Sequence, residues 1–199
     1  MAVVGLIMAG GRATRMGSET EKPLINFNGE SMIKWVIKAL KGASEIEEIV
    51  VATSPHTPKT QDTAIELGLQ VIETKGRGYI PDAQEAIRKL SPKTVLVISS
   101  DLPSVSSQLI DKIIRQYAEC GKPSLKVVTQ SELPKNSDRL NRYFGPNDDN
   151  VIPAGINVID SRHINDPQID EAILLVESEE VGANINTPED LETHSPYER

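Results

Sequence analysis

The chain has 199 residues, with 21 Lys and Arg against 29 Asp and Glu, a formal net charge of −8, 38% hydrophobic residues and one cysteine. That length gives one domain with a core of useful size; the acidic balance argues against a nucleic-acid backbone as partner, and Cys120 alone closes no internal disulfide, which fits a reducing cytoplasm. No apolar stretch approaches the ~20 residues that cross a bilayer, and no basic-then-apolar leader opens the chain, so a cytoplasmic protein is expected.

Val3–Met8 is an unbroken apolar run and predicts a buried strand. It breaks at Ala9-Gly10-Gly11 into Arg12-Ala13-Thr14-Arg15, and Glu21-Lys22-Pro23-Leu24 follows. Ser31–Leu40 predicts a helix on the spacing of Ile33, Val36, Ile37 and Leu40, with Trp35 beside the stripe as a part-buried core aromatic. Strand Ile46–Ala52, helix Lys59–Leu67, strand Leu69–Glu73, helix Asp82–Leu90, strand Thr94–Ser99, helix Ser106–Ala118 and strand Leu125–Thr129 continue the alternation. Such alternation predicts an α/β fold with a mostly parallel central sheet and helices on both faces. Residues 131–150 break it: they are polar, carry Pro134, Gly145 and Pro146, and read as an irregular insertion loop within a single domain, 1–199. Val151–Asp160 and Ile173–Val176 are further strands. Asn184–Leu191 reads as strand, cap and helix, with Thr187 at the cap and Pro188 in the first helical position.

A strand end that bares backbone N–H groups among cations is suited to a polyphosphate. The candidate loop is Ala9, Gly10, Gly11 and Arg12 with Arg15 and Lys22; Lys75 and Arg77 are further cations for an anionic ligand. Ala13 and Arg15 interrupt the glycines that a dinucleotide fingerprint needs after Gly10-Gly11, and Gly17 is followed by Ser18 and Glu19 where a P-loop needs Lys and Ser or Thr. Asp101, after the Thr94–Ser99 strand, stands where open parallel sheets bind ligands and supplies the carboxylate oxygen that Mg²⁺ prefers; a plain turn cap at Leu102-Pro103 is the alternative. Asn186, ahead of the Thr187 cap, is preferred over Asn184 as a metal or phosphate partner. Gly76 and Gly78 would let backbone approach a flat base. Gly155 interrupts an apolar strand as a bulge or a ligand passage, and Asn157 shares its face. His56, between prolines, reads as an exposed loop residue, and His163 and His194 lack zinc spacing.

The segment Ala9–Met16 with Lys22-Pro23 resembles the nucleotidyltransferase signature A-G-G-x-G-T-R-M…K-P, with Ala13 in place of a glycine, so a loop of slightly altered shape is expected. Ser99–Pro103 is similar to that family's strand-end metal aspartate. Ala52–Thr60 (which holds Thr53), Lys75–Ile80, Ile152–Val158 and Asn184–Leu191 resemble the archaeal-type GTP:adenosylcobinamide-phosphate guanylyltransferases; the likeness runs from Ala2 to about Leu191 and is weakest across residues 131–150. The resemblance implies a Rossmann-like nucleotidyltransferase fold and transfer of GMP from GTP to a phosphorylated corrinoid. It implies that Gly10, Gly11 and Arg15 hold the β and γ phosphates, that Lys22 meets the α-phosphate, and that Asp101 with Asn186 holds Mg²⁺. It points to Thr53, Gly76, Gly78, Gly155 and Asn157 as substrate contacts. Because the glycine loop, Asp101 and the Lys75–Tyr79 turn are expected to fill the nucleotide half of the cleft, the corrinoid is expected over residues 131–150 and the neighbouring Gly155 strand. A molybdenum-cofactor guanylyltransferase, a sugar-1-phosphate enzyme using UTP or CTP, and a non-catalytic nucleotide sensor are the alternatives. The oligomeric state stays open, a homodimer included.

Overall fold

The structure, a computed structural model, describes residues 2–12, 20–90, 93–130 and 151–182. Strand β1 (Val3–Met8) is buried at all six positions, as an uninterrupted apolar run must be. After a 3-10 turn at Lys22–Leu24 come β2 (Asn26–Phe27), β3 (Glu30–Ser31), α1 (Met32–Gly42), β4 (Ile46–Thr53), α2 (Pro58–Glu66) and β5 (Gln70–Glu73). Then follow α3 (Tyr79–Lys89), β6 (Thr94–Ser99), α4 (Ser107–Cys120), β7 (Ser124–Gln130), β8 (Val151–Asp160), a 3-10 turn at Ser161–His163, β9 (Glu171–Leu175) and α5 (Glu179–Gly182).

Seven strands form one sheet in the order β5-β4-β1-β6-β8-β7-β9. β4, β5, β1 and β6 are mutually parallel, as are β7 and β9; β8 runs antiparallel to both its neighbours. Alternate residues of the strands bury opposite faces. Val3 and Ile7 pack under α1, α2 and α4 with Ile33, Val36, Leu40, Ala64, Ile110 and Ile114. Val4, Leu6 and Met8 pack under α3 with Ala83, Ala86 and Ile87. Helices therefore cover both faces, as expected. A side chain such as Ile7 or Leu6 is fully buried, and truncating one to Ala costs ~2–5 kcal/mol, so β1 is a rigid anchor for the glycine loop at its carboxyl end.

The chain runs from β1 outward to β4 and β5, then returns to the other side of β1 to form β6, so the strand order reverses between β1 and β6. Loops diverge at that point and leave a crevice at the carboxyl ends. The register makes those ends flush: Met8 lies beside Ala52 and Ser99, and Thr53 beside Glu73.

Two local features depart from expectation, and a third resolves one. A small hairpin, β2–β3, turns on Asn28-Gly29 with φ of +50° and +88°. Its strands are too short to show an alternating pattern, although Asn-Gly is the strongest hairpin dipeptide. It lies against Met32 and Trp35, whose indole N–H donates to the Phe27 carbonyl at 2.7 Å. Helix α3 starts at Tyr79, ahead of the predicted Asp82, because the Asp82 carboxylate accepts from the Arg77 and Gly78 amides and secures an earlier first turn around Pro81. At Gly155 the structure shows the bulge alternative: β8 runs over Val151–Asp160 as expected, and Gly155 sits in it at φ +75° where the pairing with β7 changes register. The insertion 131–150 and the Asn184–Leu191 element lie outside the described residues.

Candidate active site

A cleft of about 730 Å³ opens over the carboxyl ends of β1 and β6. Its walls are Met8 with Gly10–Arg12, Lys22-Pro23, the turn Thr74–Tyr79 with Asp82, and Ser99–Asp101. Sequence-distant segments thus meet where the strand order reverses.

Lys22 leaves the glycine-loop segment on the short turn Lys22–Leu24, whose Pro23 is buried. Glu21 fixes that turn from behind. Its carboxylate accepts from the Lys59 amide (2.8 Å), the Thr60 amide (2.7 Å) and the Thr60 hydroxyl (2.6 Å). The start of α2 has no side-chain cap of its own at Thr57, so Glu21 serves as its N-cap from a remote part of the chain. The Lys22 ammonium then pairs with Asp101 Oδ2; the two side chains are 16% and 14% exposed. The other oxygen, Asp101 Oδ1, is buried with no hydrogen-bond partner among the described residues. An unsatisfied buried carboxylate oxygen is costly unless a ligand completes it. It is a hard donor on a residue of the cleft wall, so it fits a cation such as Mg²⁺, which takes one or two carboxylates and draws its other ligands from water and phosphate. No cluster of three or more His, Cys, Asp or Glu suited to a metal exists among the described residues.

The glycine loop is held from below by the β4–α2 turn. The Ser54 hydroxyl donates to the Gly10 carbonyl at 2.7 Å. A Cβ on Gly10 would lie 3.1 Å from Ser54 Cβ and 3.2 Å from the Thr53 carbonyl carbon, so the position needs glycine for close approach. The second glycine turn is tied to the same strand: the Thr74 amide and hydroxyl both donate to the Thr53 carbonyl, at 2.9 and 2.8 Å. Gly76 (φ +66°) and Gly78 (φ +124°) then take conformations that side chains resist.

Of the residues expected to act, Gly10, Gly11, Arg12, Lys22, Gly76, Gly78 and Asp101 come together in the cleft wall, with Lys75 and Arg77. Ala9, Thr53 and Gly155 do not line it. The Ala9 amide bonds the Ala52 carbonyl at 2.8 Å, and Thr53 is fully buried with its hydroxyl on Gln61, so both brace the floor. Gly155 serves the strand irregularity. Asn157, two residues on, reaches the cleft indirectly through a hydrogen bond with Tyr79. Arg15 and Asn186 lie outside the described residues. Tyr79 is 42% exposed as a residue and lines the cleft; loss of solvent, and then the Asp101 charge, hold the phenol above its usual pKa range. His56 is half-buried rather than exposed, and its Nε2 accepts from Arg12 Nε at 2.9 Å.

Glu21, Ser54, His56 and Tyr79 escaped the sequence reading as site components. Tyr79, Ser54 and His56 lie in the segments Lys75–Ile80 and Ala52–Thr60 that carry the family resemblance, and Glu21 adjoins Lys22-Pro23, but their individual roles act on partners far along the chain.

The family model for the MobA-like NTP transferase domain matches residues 5–136. The adenosylcobinamide-phosphate guanylyltransferase of Methanocaldococcus jannaschii is 38% identical over 196 residues, covering 94% of this chain and 92% of that protein. A probable molybdenum cofactor guanylyltransferase of Thermococcus sibiricus is 31% identical over 118 residues, 59% of this chain and 57% of that one. Among solved structures, CMP:2-keto-3-deoxy-manno-octonic acid synthetase in complex with CTP superposes with a TM-score of 0.72 at 15% identity, covering 96% of this chain and 95% of the other, which shows the shared fold. The full-length match and the crevice at the strand reversal agree: the chain belongs to the MobA-like NTP transferase family and is a nucleotidyltransferase.

Proposed function

We propose that this enzyme transfers GMP from GTP to the phosphate of adenosylcobinamide phosphate, forming adenosylcobinamide-GDP and pyrophosphate. The observation that carries the reading is the near full-length identity to the M. jannaschii guanylyltransferase, which extends well past the residues shared with the molybdenum cofactor relatives. The cleft is compatible with it: backbone amides and cations at one end, and a lysine–aspartate pair between that end and the α3 start.

In this reading the acceptor already carries its nucleophile. A phosphate oxygen of the corrinoid attacks the α-phosphorus of GTP in line, a new P–O bond forms, and the bond to the β-phosphate breaks to release pyrophosphate. No covalent enzyme intermediate is required, so the protein's task is positioning and charge stabilisation. The Gly10 and Gly11 amides with Arg12 and Arg15 hold the β and γ phosphates. Lys22, pre-positioned by Glu21 and Asp101, meets the charge that develops on the α-phosphate. Asp101, through its unpaired Oδ1, and Asn186 would hold Mg²⁺. Bound there, the ion would neutralise phosphate charge. The turn Lys75–Gly78 offers backbone groups to guanine, and residues 131–150 receive the corrinoid.

Incubation with Mg²⁺, GTP and adenosylcobinamide phosphate, with product mass and pyrophosphate measured, tests the reading. The expected product is adenosylcobinamide-GDP, with ATP, CTP and UTP turned over far more slowly; a site built for one base can discriminate by about 10⁴. Equal use of CTP or UTP would move the enzyme to the sugar-nucleotide branch. Guanylyl transfer to a molybdopterin acceptor alone would move it to the molybdenum cofactor branch, and nucleotide binding without pyrophosphate release would make it a sensor.

A further inference from the structure

We infer that His56 is a positioning residue for the triphosphate, acting by aiming Arg12. The inference rests on the nucleotide reading of the cleft, not on the corrinoid acceptor. Arg12 lines the cleft but is otherwise exposed, so an untethered guanidinium there would sample many rotamers. His56 Nε2 accepts from Arg12 Nε at 2.9 Å. That contact uses the one inner nitrogen of the guanidinium and leaves both terminal nitrogens for phosphate oxygens, the fork that binds phosphate in bidentate fashion. It also sets the tautomer, with the imidazole proton on Nδ1.

His56 is itself immobilised on two sides. Its backbone amide donates to the Ser54 hydroxyl at 3.1 Å, and that hydroxyl donates to the Gly10 carbonyl. Its ring lies against Gly76, where an added Cβ would fall 2.9 Å from Cδ2 and 2.9 Å from Nε2. One imidazole thus touches the first turn through Arg12 and the second through Gly76, and it hangs from the residue that braces Gly10. The ordering of Arg12 is met on folding, before the nucleotide arrives, which is how a preorganised donor gains affinity.

The test measures binding of GTP and of inorganic tripolyphosphate by calorimetry, and KM and kcat for GTP, in wild type, H56A, H56Q, R12A and R12A/H56A. H56A is expected to weaken both ligands by about tenfold, the scale of one hydrogen bond to a charged group, with kcat within about twofold. H56Q keeps an acceptor near the Nε2 position and restores affinity to within about twofold of wild type. R12A/H56A binds no more weakly than R12A, because His56 acts through Arg12. Wild-type affinity in H56A, failure of H56Q to restore it, or a full additional loss in the double variant would each overturn the proposal; the last would make His56 a packing residue for Gly76. The tripolyphosphate arm separates the two readings. Wild type that binds tripolyphosphate but not GTP refutes the guanylyl reading and leaves the His56 comparison intact.

Discussion

Lys22 and Asp101 meet over the carboxyl ends of β1 and β6, with the ammonium on Oδ2 and Oδ1 buried beside it without a partner among the described residues. One carboxylate thus holds the Lys22 ammonium through one oxygen and leaves the other without a partner among the described residues. Asp101→Asn keeps the shape and removes the charge. Turnover is expected to fall by about 10²–10³, the scale of a lost electrostatic contact at a reacting phosphate. In wild type, Mg²⁺ should add to the thermal shift produced by GTP; in the variant that increment should vanish while the apo midpoint stays within a few degrees. An Asp101→Asn protein that melts early yet turns over normally would make Asp101 a turn cap.

Lys22→Met should cut kcat by about 10²–10³ for the same reason, and it should also destabilise the fold, because a part-buried carboxylate loses its counter-ion. Lys22→Met/Asp101→Asn should recover most of that stability and none of the activity. Chemical denaturation of the three variants gives the coupling. Additive stability losses would mean that the pair is too well solvated to matter.

Glu21 caps α2 through three hydrogen bonds of 2.6–2.8 Å while its neighbour Lys22 faces the cleft. Glu21→Ala should cost about 1–2 kcal/mol, as lost N-caps do. It should lower kcat as well, since the backbone carrying Lys22 loses its tether. Glu21→Gln should retain most of both, because an amide oxygen still accepts from the helix start. Loss of stability with unchanged kcat would confine Glu21 to a structural role.

The strands and helices were legible because burial imposes a period: Val3–Met8 had to be a buried strand, and Ile33, Val36 and Leu40 had to share a helix face. The two glycine turns were legible for a different reason, since close approach at Gly10 and positive φ at Gly76 exclude other residues and leave a mark in the chain. Residues that work by reaching across the fold leave no such mark. Glu21 before a lysine, Ser54 before a proline and His56 between prolines look like surface polar residues until β4 and β1 are brought side by side. Gly155 shows the converse: its conformational demand was visible in the chain, and a register change between β7 and β8 accompanies it.

Tyr79 gives the pH prediction. Loss of solvent around its hydroxyl, and then the Asp101 charge, favour the neutral phenol, and the Asn157 hydrogen bond offsets them only in part. The folded protein therefore keeps a proton that the unfolded chain releases above about pH 10, the usual phenol value. A group whose pKa is raised by folding contributes its full stability below the unfolded value and loses it as pH rises further, so wild type should weaken steeply above pH 10. Tyr79→Phe has no such proton. It should be about 1 kcal/mol less stable than wild type near pH 8, from the lost bond to Asn157, and the gap should close as pH approaches 11. Urea midpoints of both proteins at pH 8, 9.5 and 10.5 measure it. The raised pKa also keeps Tyr79 protonated at neutral pH, where its oxygen accepts from the Asn157 amide and its proton can go to a substrate acceptor as a hydrogen bond, but it cannot act as a base. The limbs of the pH–rate profile between pH 6 and 9 should accordingly coincide in wild type and Tyr79→Phe; an alkaline limb lost in the variant would give Tyr79 a proton-transfer role.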